Sequence, residues 1–341
     1  MEDFPEDGAF RGPQRFPLSS LPVDLQETFD DPGAIESEDA ITTLDLYLRA
    51  SGIPGCLRFG RYPIDTVPQF MTPWPENPEL KRPLGTRVLQ KAVTHDKWDF
   101  ARSVRRYLDE LPDLMIRVAH TGPLKLPASA IAEYDEDDVE KYSHVDGVDE
   151  LLEVLKDTIF ETVAECIRVI ERIPRSAALC ETLSLIRANE LCRAHHARWD
   201  ILAMLAQRGL MPGDLIMAVI VVPPWEMNLD SFRQFTAPRD FSGHMLDIIP
   251  SSPADSISDK LWVAAYDCCY RRGRYFIVTN YTHWAFGHFK KDWTAAHITE
   301  PIEAKKIELE NNGVTYAADN GANVVESLLY WIQLARGSVT L

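Results

Sequence analysis

Met217-Ala218-Val219-Ile220-Val221-Val222-Pro223-Pro224-Trp225 is the stretch on which the fold turns. The run from Leu215 to Val222 is continuously apolar and becomes β-branched towards its end. Gly213 bounds it on one side and Pro223-Pro224 on the other. A short run of this kind fits a strand buried on both faces, as at the centre of a sheet covered by helices.

Beyond this strand, Asn228 to Phe235 reads as a short helix or turn. Thr236 to Asp259, rich in Pro, Ser and Asp, reads as a long loop. Lys260 to Arg271 predicts a helix with Leu261, Trp262, Ala265, Cys268 and Cys269 inward, broken by Gly273. Tyr275 to Thr279 follows as a strand and Asn280 to Thr282 as a turn. Trp284 to Phe289 and Trp293 to Thr299 are two further strands. The last clear element is a helix over Ala322 to Ala335, with Val325, Leu328, Leu329 and Ile332 on one side.

Before the strand the period is helical. Val148 to Ile173 carries a single stripe of Leu152, Leu155, Ile159, Val163, Cys166, Ile170 and Ile173, closed by Pro174. Ala177 to Arg208 reads as a second long helical region, with Leu183, Ile186, Trp199, Leu202 and Leu205 among its apolar positions. Trp98 to Leu111 and Asp39 to Ala50 are two earlier helices. Tyr62 to Pro83 is proline-punctuated and extended, and Glu133 to Glu140 is an acidic run that reads as a solvated loop. Three parts result: a disordered acidic, proline-rich arm over 1–37, a mainly helical and irregular region over 38–175, and an α/β core over 176–341 packed as one unit with the region before it. The fold class is α/β (α+β), a mixed sheet with flanking helices and a helical N-terminal half.

The 341 residues carry 52 acids against 35 Lys and Arg, for a net charge of −17. Phosphate neutralisation supplies most non-specific nucleic-acid affinity, so this balance argues against nucleic acid as a partner. Arg271-Arg272-Gly273-Arg274, Lys290-Lys291 and Arg102 with Arg105-Arg106 are short basic pieces that read as solvated charge. No apolar run approaches the roughly 20 residues of a membrane-spanning helix. The six Cys include no C-x-x-C pair, and no signal-peptide pattern opens the chain. Reduced thiols in an intracellular protein, nuclear or cytoplasmic, are expected.

The order strand, short helix, loop, helix, strand, turn, strand, strand over residues 177 to 335 resembles the restriction-endonuclease-like fold, most specifically over Leu261 to Phe289. The chain is also similar to a group of basidiomycete fungal proteins. They share the Pro-Pro-Trp after the central strand, the helix, and a pattern that reads here Phe276, Val278, Thr279, Tyr281, Trp284, Phe286 and Gly287. In catalytic members of the fold the central strand carries an acid and, two residues on, a lysine. The acid and an upstream Asp hold Mg²⁺, and the lysine orients the attacking water. Aligning on Pro-Pro-Trp puts Ile220 at the acid and Val222 at the lysine; a shift by one gives Val219 and Val221. Aliphatic side chains offer a hard cation no oxygen.

The resemblance therefore implies a catalytically degenerate scaffold with no cofactor and no catalytic or metal residue. Asp200, Asp214 and Glu226 are the candidates for displaced metal ligands. Glu226 reads more simply as an acid helping Asn228 or Asp230 cap the next helix. His195-His196 point about 100° apart on a helix and do not chelate one ion well. His283, His288 and His297 make a site only in a register that brings them together. Trp225, Trp284 and Phe286 are the candidate interaction residues, although the hairpin aromatics read first as core. The fungal likeness implies a regulator of mating-type-controlled sexual development, in clamp-cell formation and the dikaryon, acting through protein partners. A divergent Mg-dependent nuclease and a generic protein-binding adaptor are the other readings.

Overall fold

The structure is a computed structural model that describes residues 40–51, 53–54, 58–59, 88–118, 144–145, 147–172, 183–187, 199–206, 215–241, 257–270, 272–304, 306–307, 309–310, 313–314 and 321–338. The arm over 1–37, the Tyr62 to Pro83 segment, the acidic run Glu133 to Glu140, His195-His196 and Asp214 lie outside these residues.

Among the described residues a nine-stranded mixed sheet forms the centre. Its strands in chain order are β1 (Lys91–His95), β2 (Leu183–Arg187), β3 (Asp200–Ala206), β4 (Leu215–Val221), β5 (Arg239–Asp240), β6 (Tyr275–Thr279), β7 (His283–Phe289), β8 (Ala295–Thr299) and β9 (Ile302–Glu303). Across the sheet they run β5-β1-β8-β7-β6-β4-β3-β2, and β9 pairs with β7 beyond the end of β8. The pairs β4/β6 and β1/β8 are parallel and the other main-sheet pairs are antiparallel.

Among the described residues seven helices flank the sheet: α1 (Leu44–Ala50), α2 (Lys97–Asp109), α3 (Val148–Leu155), α4 (Glu161–Ile170), α5 (Leu229–Thr236), α6 (Ile257–Cys269) and α7 (Val324–Ala335). A π-helical turn over Lys156–Phe160 joins α3 to α4, so the long predicted stripe is one continuous rod. Caps set several starts. Asp96 accepts from the amides of Trp98 and Asp99 at α2, and Asn228 accepts from Ser231 at α5. Asn323 and Glu326 form a reciprocal capping box at α7, and Asn323 Nδ2 also donates to Leu48 O at 2.7 Å, tying α7 to α1.

The central strand β4 is buried on both faces, as its sequence predicts. Met217, Val219 and Val221 join the core that includes α1, α2, α3, α4 and α7. Ala218, Ile220 and Val222 join the opposite core, with α5 and α6. Helices thus cover both faces of the sheet. Gly287 sits directly opposite Phe276 across β6 and β7, and its missing side chain makes room for the Phe276 ring.

Three expectations are corrected. The region Ala177 to Arg208 is not a long helix; its described residues form β2 and β3. Leu202 and Met204 face one core while Ile201 and Ala203 face the other, a period of two hidden in a run where every residue is apolar. The predicted helix from Asp39 begins as a strand, Ala40–Thr43, antiparallel to Met115–Val118, and turns helical only at Leu44. Ile41, Thr42 and Thr43 are β-branched and pair readily. The region before residue 176 is not only helical and irregular, because β1 lies inside the main sheet, between β5 and β8. Its pattern, with charged or exposed ends and only Ala92 fully buried, is too weak to announce a strand.

Cys166, Cys268 and Cys269 are buried. Burial, then the nearby Glu165, pushes the Cys166 thiol far above its ordinary range. Among the described residues no helix is long and apolar enough to cross a membrane.

Candidate functional site

The ends of β4 and β6 are where a nuclease-type sheet would place its chemistry. Val222 N donates to Thr279 O at 2.8 Å, so the hydrogen bonding to β6 continues one residue past the end of β4. Ile220 and Val222 are both 0% exposed and sit in the core that also holds Phe232, Phe235 and Trp262. At neither position is there an oxygen for a cation or an amine for a water.

Of the candidate acids, Asp200 and Glu226 are among the described residues and Asp214 is not. Asp200 opens β3, opposite Val221, and is 3% exposed; its Oδ1 accepts from Ile201 N at 2.7 Å. Glu226 is half-buried in the turn after the strand, where its backbone N donates to Pro223 O at 2.9 Å. Asn228 caps α5 through its own side chain. Among the described residues no three His, Cys, Asp or Glu side chains are grouped to hold a metal ion.

What occupies the strand ends is a built turn. Asn280 Nδ2 donates to Met227 O at 2.8 Å, and Asn280 Oδ1 accepts from His283 N at 2.7 Å and from Thr282 Oγ1 at 3.1 Å. Tyr281 takes a left-handed backbone, φ 72°, with its amide donating to Thr279 Oγ1 and its side chain buried. That conformation costs a non-glycine residue about 1–2 kcal/mol, so the surrounding bonds hold it. Trp284 Nε1 donates to Tyr281 O at 2.9 Å. Trp284 and Phe286 are interior side chains: Trp284 meets Phe160 edge-on, and Phe286 stacks on Phe100. Of the three candidate interaction residues, only Trp225 is partly exposed, packed against the edge of a core.

A second feature lies at the opposite end of β6. The register pairs His288 with His297 and Tyr275 with His288, and β8 runs parallel to β1. Three histidines from β1, β8 and β7 therefore form a stacked column. The His95 and His297 rings are 4.9 Å apart, and those of His297 and His288 are 5.1 Å apart. His95 Nε2 and His297 Nδ1 share a hydrogen bond of 2.8 Å. His288 Nδ1 is buried with no hydrogen-bond partner among the described residues. Burial, followed by the neighbouring His297, His95, Arg274 and Lys290, pushes His288 down to about 4. Burial, then His95, Lys290 and Lys91, also holds His297 below its ordinary value.

The sequence names His288 and His297 but does not show the register that pairs them. His95 lies 202 positions from His297, and no local pattern points to it. His283, also named from sequence, stands apart from the column, beside Thr282 and Phe232.

No family model, no curated protein and no solved structure matches the chain.

Proposed function

We propose that the protein is a non-enzymatic regulatory or interaction protein built on a catalytically degenerate, restriction-endonuclease-like scaffold. The observation that carries the reading is the burial of Ile220 and Val222 as core side chains where an acid and a lysine would stand. The parallel β4/β6 pair, the helix α6 between them and the β6/β7 hairpin support the scaffold. Within the group of basidiomycete proteins that share the pattern of Phe276, Val278, Thr279, Tyr281, Trp284, Phe286 and Gly287, the named protein we propose as the one this chain resembles is the clampless protein of mushroom-forming fungi. The role proposed by that similarity is a regulator of mating-type-controlled development, acting through protein partners in clamp-cell formation and the dikaryon, in the nucleus or cytoplasm.

Two measurements test this. Purified protein incubated with Mg²⁺ or Mn²⁺ and plasmid DNA is expected to show no metal-dependent nicking. Nicking abolished by alanine at Asp200, Asp214 or Glu226 overturns the non-enzymatic reading. Deletion of the gene in a mating strain is expected to impair clamp formation; normal clamps reject the developmental role.

A further inference from the structure

The histidine column opens on a cleft of about 420 Å³ lined by Arg274, His288, Lys290, Lys291, Asp292 and His297. Three backbone bonds assemble it. Phe289 N donates to Arg274 O at 2.8 Å, Lys290 N to Ala295 O at 2.8 Å, and Trp293 N to Lys290 O at 3.0 Å. Trp293 takes a left-handed φ of 63° to close that turn, which brings the Lys290-Lys291 pair to the rim.

The charge balance here is opposite to that of the chain. A protein of net charge −17 gathers three permanent cations around one cleft, with a single carboxylate. That carboxylate is committed locally: Asp292 Oδ1 accepts from Thr294 N at 3.1 Å. Lys91 adds a fourth cation near His297. Among the described residues no carboxylate forms an ion pair with Arg274, Lys290, Lys291 or Lys91. Arg274 lies over the Tyr275 ring, with its guanidinium carbon 5.8 Å from the centroid. A planar fork resting on a ring suits two parallel bonds to an oxyanion. The column's other wall is apolar or aromatic, with Trp331 of α7 beside His288 and Tyr330 near Tyr275.

We propose that this cleft binds a phosphate-class dianion, either inorganic phosphate or a phosphate monoester on a small molecule. Cations crowded against a single carboxylate repel one another, and a dianion between Arg274, Lys290 and Lys291 relieves that repulsion. The His95–His297 hydrogen bond adds a second device. One proton already bridges the two rings, so one more leaves both outer nitrogens as N–H donors. Burial, then His95, Lys290 and Lys91, holds His297 low; a bound dianion offsets the two lysines and so favours proton uptake, and by linkage the protonated His297 binds the anion more tightly. The site lies at the other end of β6 from Thr279, where that strand meets the end of β4, and stands independently of the regulatory reading.

The test follows the imidazole resonances of His95, His288 and His297 by NMR in the full chain. Inorganic phosphate, O-phosphoserine and sulfate are titrated against sodium chloride at matched ionic strength. Saturable one-site shifts with the oxyanions are expected. Paired substitution K290Q/K291Q is expected to weaken binding at least about tenfold, the value of one charge-assisted contact; these exposed lysines can change without unfolding the protein, and R274Q is the second variant. Tighter binding of phosphate marks the free ion as the ligand, and tighter binding of O-phosphoserine marks the monoester; either supports the site. Saturating sulfate is expected to raise the titration midpoint of His297. Shifts that sodium chloride reproduces, or affinity unchanged in both variants, overturn the proposal. Neither result bears on plasmid nicking or clamp formation.

Discussion

His288 and His297 face each other across β7 and β8 with their rings 5.1 Å apart and within 9° of parallel. Two stacked imidazoles cannot both hold a proton cheaply, and His288 is the more buried of the two. Its value of about 4 lies below the ordinary histidine range of about 6.5. A base depressed in this way binds its proton more readily in the unfolded chain. The stability it contributes is therefore complete above about pH 6.5 and is lost as pH falls towards about 4. The loss is on the order of 2–3 kcal/mol. Urea midpoints measured from pH 7 to pH 4 are expected to fall more steeply for the natural protein than for His288→Gln. Parallel curves would show that the column does not couple to folding.

Gly287 answers to Phe276. A methyl group at 287 lands on the Phe276 ring, which is itself fully buried. Gly287→Ala is expected to cost about 1–3 kcal/mol through overpacking. Adding Phe276→Leu should recover part of that loss, because the obstructing ring is gone. Double-mutant analysis of denaturant midpoints measures the coupling; strict additivity would refute the contact.

Ile220 and Val222 are tested by polarity rather than by size. Ile220→Val removes one methylene and is expected to cost about 0.5–1.5 kcal/mol. Ile220→Asp and Val222→Lys, which restore the residue types of a catalytic strand, place a charge in a core with no partner. Each is expected to cost more than about 4 kcal/mol or to abolish folding. Tolerance of both in thermal denaturation would mean that water reaches this point.

Arg105 and Glu326 form an ion pair of 2.7 Å between α2 and α7, with Glu326 fully buried and Arg105 partly exposed. Burial raises the Glu326 carboxyl even though Arg105 opposes the shift. Arg105→Met leaves the acid without its cation and raises it further. An acid whose folded value is raised loses stability as pH climbs from its unfolded value through its folded one. Arg105→Met is thus expected to cost about 2 kcal/mol or more at pH 8 and less at pH 5. Glu326→Gln is expected to cost less, since water can reach the abandoned guanidinium. Chemical denaturation at the two pH values checks both; equal costs would contradict the assignment.

Much of the second half was legible in local order. The strand β4, the helices α5, α6 and α7, and the three strands β6, β7 and β8 fall close to where periodicity and punctuation put them. The misreading of Ala177 to Arg208 has a physical cause. Ile201-Leu202-Ala203-Met204 is apolar at every position, so no period can be extracted from it; only the cores on either side reveal the alternation. Phe286 and Trp284 illustrate the converse. An aromatic cluster on a hairpin serves a surface or a core equally well, and the helices α2 and α4 covering that face decide in favour of the core.

By itself the sequence determined the central strand, its flanking helices and the absence of ligand atoms at Ile220 and Val222, because an apolar run bounded by glycine and proline carries its meaning in adjacent residues. Only the tertiary structure decided that His95, His288 and His297 stack beside Arg274 and Lys290. Which strands become neighbours, and in what register, is set by hydrogen bonds and burial between segments far apart in the chain, such as β1 and β8, and no local pattern encodes that choice.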